Sequence, residues 1–197
     1  MVCFTGSLGA KIVQGERNEA CLIAEPQPIF CKDSANKIKN KRNCYIFSME
    51  PLNLPPYNIK VTTTNGQKMI FDILRRRYIS LTPEEWVRQH FIHYLIEHQG
   101  YPEIYLQNEV EVRCGSKRLR CDSILYSQDG SPKMILEYKA PTIPITEKVF
   151  NQIYSYNILL HVDYLVISNG KRHFCCKIDY SNNSYTFLPE IPHYSEL

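Results

Sequence analysis

Three residues near the middle of the chain have types and spacing that could do chemistry. In "MILEYKAP", residues 134–141, a run of buried-strand character ends in Glu137 and Lys139. Residues two apart on a strand share a face, so this carboxylate and ammonium project together while Tyr138 turns to the other side. Arg118–Tyr126 also reads as a strand, separated from the first by Gln128-Asp129-Gly130-Ser131. A two-residue turn at Asp129-Gly130 would pair the strands so that partner numbers sum to 259, which sets Asp122 opposite Glu137. Opposed Cβ atoms lie about 4.5–5.5 Å apart, and two like charges there destabilise a sheet unless something binds between them. A divalent cation is one solution, because a hard ion such as Mg²⁺ takes one or two carboxylates and completes its shell with water and phosphate oxygens. Lys139 could then orient or help deprotonate an attacking water, or balance charge on a phosphate. The residues alone leave a second solution open, in which Lys139 simply neutralises two surface carboxylates. They also leave open a bulge at Pro132 that shifts the register by one.

The elements that must position these groups surround them. In "LTPEEWVRQHFIHYLIEHQGYP", Thr82 is an N-cap, Pro83 suits the first helical position, and Glu84 and Glu85 favour the first turn. Trp86, Val87, Phe91, Tyr94, Leu95 and Ile96 form an apolar face and Gly100 is a stop, which predicts a helix over 83–98. Ile104–Arg113, Arg118–Tyr126 and Lys133–Lys139 then predict a meander. Thr146–Leu160 has helical spacing in Val149, Ile153, Tyr156 and Leu160. Val162–Ser168 and His173–Asp179 read as strands joined across Asn169-Gly170. The order αβββαββ predicts an α/β fold with a mixed central β-sheet flanked by helices. Ahead of it, prolines make 51–57 extended, Ile59–Ile70 suits a short hairpin about Asn65-Gly66, and "DILRRRY" (72–78) reads as a basic helical turn or loop, a solvated face being a plainer reading than a phosphate contact.

A chain of 197 residues suits one domain plus an extension, and 44% hydrophobic with 22% charged residues excludes disorder throughout. The net charge of +3 arises within residues 1–48, which hold seven Lys/Arg against four Asp/Glu, while residues 49–197 are balanced at 16 each. Bulk charge therefore neither supports nor excludes a nucleic-acid partner. No apolar run approaches a membrane span and no leader pattern opens the chain, so the protein reads as soluble and cytoplasmic, with no membrane partner. The eight cysteines include no CxxC pair, which favours free, mostly buried thiols over zinc or disulfides. Residues 1–48 show neither helical nor strand periodicity, and Met49 reads like a fresh beginning. They are expected to be a poorly ordered extension, either not natively translated or a mobile arm with a basic patch at Lys37–Arg42, ahead of a nuclease-like domain over 49–197.

Asp122, then Glu137-x-Lys139, then Gln152-x-x-x-Tyr156 resemble the PD-(D/E)XK nuclease superfamily. Within it, residues 50–194 are similar to the N-terminal nuclease domain of type I restriction enzyme R subunits in a short stand-alone form, through "LTPEEWVRQHFI", "LEYKAP", "FNQIYSYN" and "YLVISNG". The resemblance implies a restriction-endonuclease-like fold and Mg²⁺-dependent DNA cleavage, endonucleolytic rather than exonucleolytic, with Mn²⁺ as a substitute. It implies Asp122 and Glu137 as metal ligands, with the Tyr138 carbonyl as a possible third, and Lys139 as the catalytic lysine. Gln152 and Tyr156, neighbours on one helical face, would lie beside the site. Glu109 or Glu85 could match the extra acidic residue of such nucleases, with Glu109 favoured and Glu85 also explained by the helix dipole. Cys121 stands where the superfamily's proline would precede Asp122. Arg118, Arg120, Lys171 and Arg172 are candidate phosphate contacts, ordinary solvated surface being the plainer reading of each. The R subunits continue into helicase motors, whereas no Walker P-loop is present, so no ATP site is expected in this chain. Expected partners are DNA and restriction-modification or repair proteins. The alternative is a non-catalytic nuclease-fold module that binds DNA or protein within such a system.

Overall fold

The computed structural model describes residues 50–114, 117–146, 149–150, 154, 157 and 160–197. The expected extension, residues 1–48, and the motif residues Gln152 and Tyr156 lie outside them. Among the described residues no helix is long and apolar enough to cross a membrane.

The chain enters through a hairpin whose turn, Asn65-Gly66, takes positive φ at both positions, as the tight two-residue connection requires. It joins β1 (Val61–Thr64) to β2 (Gln67–Asp72), with Val61 opposite Ile70. The basic run after it is not all turn or loop: Arg77–Ser80 forms β3, antiparallel to β2. The turn is made by Asp72, whose Oδ1 accepts the N–H groups of Leu74 and Arg75 at 2.9 and 2.8 Å. Three arginines conceal the strand in the sequence, because only Tyr78 and Ile79 carry its β signal.

Next, α1 (Pro83–Glu97) starts as expected, with Thr82 Oγ1 accepting the Glu85 N–H. A six-stranded sheet follows: β4 (Leu106–Cys114), β5 (Lys117–Tyr126), β6 (Pro132–Tyr138), β7 (Tyr164–Ser168), β8 (His173–Asp179) and β9 (Ser184–Leu188). The strands lie in sequence order, all antiparallel except the β6–β7 pair. That parallel pair requires a long crossover, which residues 139–163 supply. The described residues between 149 and 160 are helical. The fold is thus mixed α/β and strand-rich, with one complete helix and two sheets among the described residues. Two features depart from the expected order: β3, which extends the expected hairpin to three strands, and β9, a half-exposed edge strand whose side chains give little hydrophobic contrast.

The core has two faces. Val87, Phe91 and Leu95 of α1 pack with Met134, Leu136, Tyr138 and Val166. Ile135, Leu165 and Ile167, the alternate residues of the same strands, pack on the other side with Phe150 and, partly buried, Tyr154 and Leu160.

A polar chain fastens the small sheet to the large one. Asp72, fully buried, pairs with Arg75 Nε at 2.5 Å and accepts Asn108 Nδ2 at 3.0 Å, and Asn108 accepts the Ser123 hydroxyl at 2.6 Å. Burial opposes its charge, but these donors outweigh it and hold its pKa below the ordinary carboxylate value. Its contribution to stability is therefore present at neutral pH and lost as pH falls through that depressed value. Asp72→Ala leaves Arg75 only its longer contact to Glu85 and should cost about 3–5 kcal/mol in urea unfolding at pH 7; the difference from the parent should shrink in acid.

Candidate active site

The site forms where the large sheet breaks its own alternation. Leu106 belongs to the α1-side core, whereas Val110 and Val112, of the same parity, pack on the far side. On β5, Leu125 is on the α1 side, yet Cys121 joins Ile124 on the other. Both strands therefore invert between these positions, and between them stand Glu109, with φ of +58°, and Asp122. The β4–β5 ladder pairs Asn108 with Ser123 and Val110 with Cys121 and omits the pair between. The inversion turns two acidic residues that a regular strand would have aimed elsewhere toward α1.

Arg88, on the buried face of α1, receives them. Its Nη1 donates to Glu109 Oε1 at 2.5 Å and to Glu85 Oε2 at 2.7 Å, and its Nη2 donates to Asp122 Oδ1 at 2.7 Å. Its guanidinium carbon lies 5.6 Å from the Tyr138 ring centre. Burial works against the cation, but Asp122, Glu85 and Glu109 together outweigh it and raise its pKa. Glu85 also accepts from Gln89 and, at 3.4 Å, from Arg75. Burial dominates at Glu85 and raises its pKa despite these cations.

The expected β5–β6 register is present: Ser123, Ile124 and Leu125 face Leu136, Ile135 and Met134. The turn is not the expected two-residue one. Gly130 N–H donates to Ser127 and Ser127 N–H to Ser131, so the loop is longer, and a bulge after Pro132 restores the partner sum of 259. The ladder ends at Ser123 and Leu136, so Asp122 and Glu137 are not a ladder pair. Instead, Asp122 Oδ2 accepts the N–H of Tyr138 at 2.9 Å, which bridges the strand ends by a side chain. Lys139 extends the parallel pairing of β6 with β7, its N–H bonded to the Ser168 carbonyl at 2.9 Å, and its Nζ meets Glu137 Oε1 at 2.8 Å.

Glu137 is 7% exposed. Burial first, then the Asp122 charge, push its pKa up to about 7 against the pull of Lys139. Burial opposes the Lys139 ammonium, but Glu137, with Asp122 and Glu84 further off, raises its pKa. Asp122, Glu137 and Lys139 thus interact as one electrostatic unit. Among the described residues no three His, Cys, Asp or Glu side chains converge as a ready-made metal cage. Two carboxylates that repel each other at a sheet end do fit a hard cation that keeps most of its shell as water, and do not fit zinc.

The other candidates fall elsewhere. Glu109 is bound by Arg88 and Arg120, so it acts on Asp122 through the shared guanidinium. Arg120 is thereby engaged in an ion pair, Arg118 lies 3.9 Å from Glu111, and Lys171 pairs with Glu50. Arg172 is exposed, its N–H bonded to Asn169 Oδ1 in the β7–β8 turn. Sequence reasoning missed Arg88, whose only signal was a charged residue at a position of α1 that also belongs to the buried stripe.

The model of the type I restriction enzyme R protein N terminus (HSDR_N) matches residues 83–192, more than half of the chain. The chain belongs to this family. A solved structure described as a fragment of an HsdR subunit of a type I restriction enzyme from Vibrio vulnificus YJ016 is similar at 21% identity and a TM-score of 0.44. The similarity covers 59% of this chain and 24% of that one, so this chain corresponds to a minor part of its length. No curated protein matches the chain. The R protein N-terminal match takes in α1 and all six strands of the large sheet, with Arg88, Glu109, Asp122, Glu137 and Lys139. It begins after β3.

Two outcomes test this R-protein-type site. Arg88→Met takes from Asp122 its ion-pair partner and leaves Glu85 and Glu109 only Arg75 and Arg120, and should cost about 3–5 kcal/mol by urea unfolding; Arg88→Lys should recover only part, because an ammonium lacks the planar fork. Glu137 binds its proton more tightly folded than unfolded, so its contribution is full below 4.5 and is lost as pH rises through about 7. Metal-free protein melted in EDTA between pH 4.5 and 8 should show that loss, and Glu137→Gln should remove it.

Proposed function

We propose that this domain is a Mg²⁺-dependent deoxyribonuclease that hydrolyses DNA phosphodiester bonds endonucleolytically, on a restriction-endonuclease-like fold with helices on both faces of the mixed sheet. The observation that carries the reading is the grouping of Asp122, Glu137 and Lys139 at the sheet end, where burial first and the Asp122 charge second raise the Glu137 pKa to about 7 while Lys139 is bonded to it. Family membership supports the same reading. Mg²⁺, or Mn²⁺ in its place, would supply charge at a phosphate oxygen and lower the pKa of an attacking water.

Asp122 and Glu137 would hold the ion, Glu137 losing its proton to do so. Asp122 is aimed by two donors, Arg88 and the Tyr138 N–H, each leaving a lone pair free on the oxygen it uses. Lys139, with its raised pKa, suits the role of a fixed cation that stabilises negative charge developing on the phosphate better than that of a base. Gln152 and Tyr156 are proposed to line the site from the crossover segment. DNA is the proposed substrate, and other restriction-modification subunits the proposed partners.

Nicking of supercoiled plasmid measures this. Cleavage should require Mg²⁺ or Mn²⁺, stop in EDTA, and fall by about 10²–10³-fold in Lys139→Ala. Cleavage that is metal-independent or unaffected by that substitution would sink the proposal. Metal-independent DNA binding without cleavage would instead identify a non-catalytic module.

A further inference from the structure

The three-stranded sheet that precedes the family match has a face with no assigned role. Ile70 and Asp72 are fully buried, so alternation turns Met69 and Phe71 of β2 to the opposite, outer face. Register puts Thr62 and Ser80 beside Met69, and Tyr78 beside Phe71. The Phe71 and Tyr78 rings meet edge to face with centres 5.2 Å apart, and Tyr78 is 44% exposed. Lys60, exposed, holds its Nζ 5.5 Å from the Phe71 ring centre. Gln67 donates to the Ser80 hydroxyl across the same sheet.

Charge marks the small sheet out from the rest of the domain, with Lys60 on this face, Lys68 and Arg77 on the side of Ile70 and Asp72, Arg75 bound to Asp72 and Arg76 paired with Glu103. Residues 60–80 contain Lys60, Lys68, Arg75, Arg76 and Arg77 against one acid, Asp72, which is buried and bound to Arg75. Every exposed formal charge on the small sheet is therefore positive, although residues 49–197 are balanced overall. The complementary ligand is a polyanion. The aromatic pair, Tyr78 exposed and Phe71 half-buried, adds a second requirement, since a ring can stack only on a base that is itself unstacked. Duplex DNA hides its bases, whereas a single strand offers a π-face at every nucleotide and a phosphate between each.

We infer that the outer face of β1–β3 binds single-stranded DNA, one base stacking on Tyr78 and Phe71 while Lys60 meets an adjoining phosphate. A three-stranded face of this size accommodates about two bases. The inference extends the reading of the domain as a DNA enzyme, but the surface needs neither metal nor hydrolysis.

Fluorescence anisotropy of a labelled 12-nucleotide oligo-dT with the full chain, in EDTA and low salt, tests it. The single strand should bind more tightly than a duplex of equal length. Tyr78→Leu should weaken binding about tenfold and Tyr78→Trp should preserve it. Lys60→Gln should weaken binding and lower the salt dependence by about 0.7 in slope, the value for one phosphate contact to a single strand. Circular dichroism melts of these exposed-site variants confirm that the fold is intact. Preference for the duplex, tighter binding to an RNA of the same length, or affinity unchanged in Tyr78→Leu would overturn the inference. Lys139→Ala should bind oligo-dT normally. Loss of cleavage with intact, Tyr78-dependent binding removes the enzyme and keeps this surface, and the reverse pattern removes the surface and keeps the enzyme.

Discussion

A guanidinium carries its donors in one plane, and Arg88 uses that geometry to serve carboxylates from three elements: Glu85 of α1, Glu109 of β4 and Asp122 of β5. Side chains of like charge this close would otherwise force the helix and the strands apart or take up protons. Coulombic attraction in a partly dry environment is several times stronger than in water, so one cation decides whether the acidic cluster can exist. Glu137 pairs with Lys139 instead, which does not offset its burial and the Asp122 charge; hence its elevated pKa. The helix, the two antiparallel strands and the end of the parallel pair are thus placed relative to one another by charge as much as by apolar packing.

That placement has a conformational cost at Glu109. A left-handed backbone at a residue with a side chain costs about 1–2 kcal/mol, and strain of this kind persists only where the surroundings over-determine it. Two arginines, Arg88 and Arg120, hold the Glu109 carboxylate from different elements and supply that constraint. The resulting inversion frees the Asp122 side chain from the regular pleat, so that it can accept a backbone N–H of β6 and still point at α1. Local irregularity and site geometry are one event.

This event explains what could be read from the sequence. Thr82-Pro83 with Glu84 and Glu85 announced α1 to within a residue, because capping is local chemistry. The His173–Asp179 strand was legible in its full extent because both its faces are apolar or half-buried over a short run. The register of β5 and β6 came out correctly although the assumed turn was wrong: a longer loop shifted the pairing by one and the bulge after Pro132 shifted it back. Arg88 was invisible, since a single arginine on an amphipathic helix reads as solvent-facing. β3 and β9 were missed because one is only four residues long and directly follows two arginines, and the other is an edge whose two faces differ little in exposure. Alternation arguments located Asp122 and Glu137 near each other but could not anticipate an inversion that depends on partners from α1.

The family match begins at Pro83, after the small sheet, yet the contacts of that sheet tie it to the site. Asp72 reaches Asn108, the residue before the strained Glu109, and Asn108 holds Ser123, the residue after Asp122. Arg75 links the same turn to Glu85, which Arg88 also binds. The polar chain from β2 therefore ends on both flanks of the inversion, and the carboxylate of Glu85 is shared between the two arginines. Removing β1–β3 would withdraw a cation from the acidic cluster and the hydrogen bonds that define where β4 and β5 change sides. The smallest unit with an intact site thus includes β1–β3, and the turn at Asp72 has a short, hydrogen-bonded route to Asp122 through Arg75, Glu85 and Arg88.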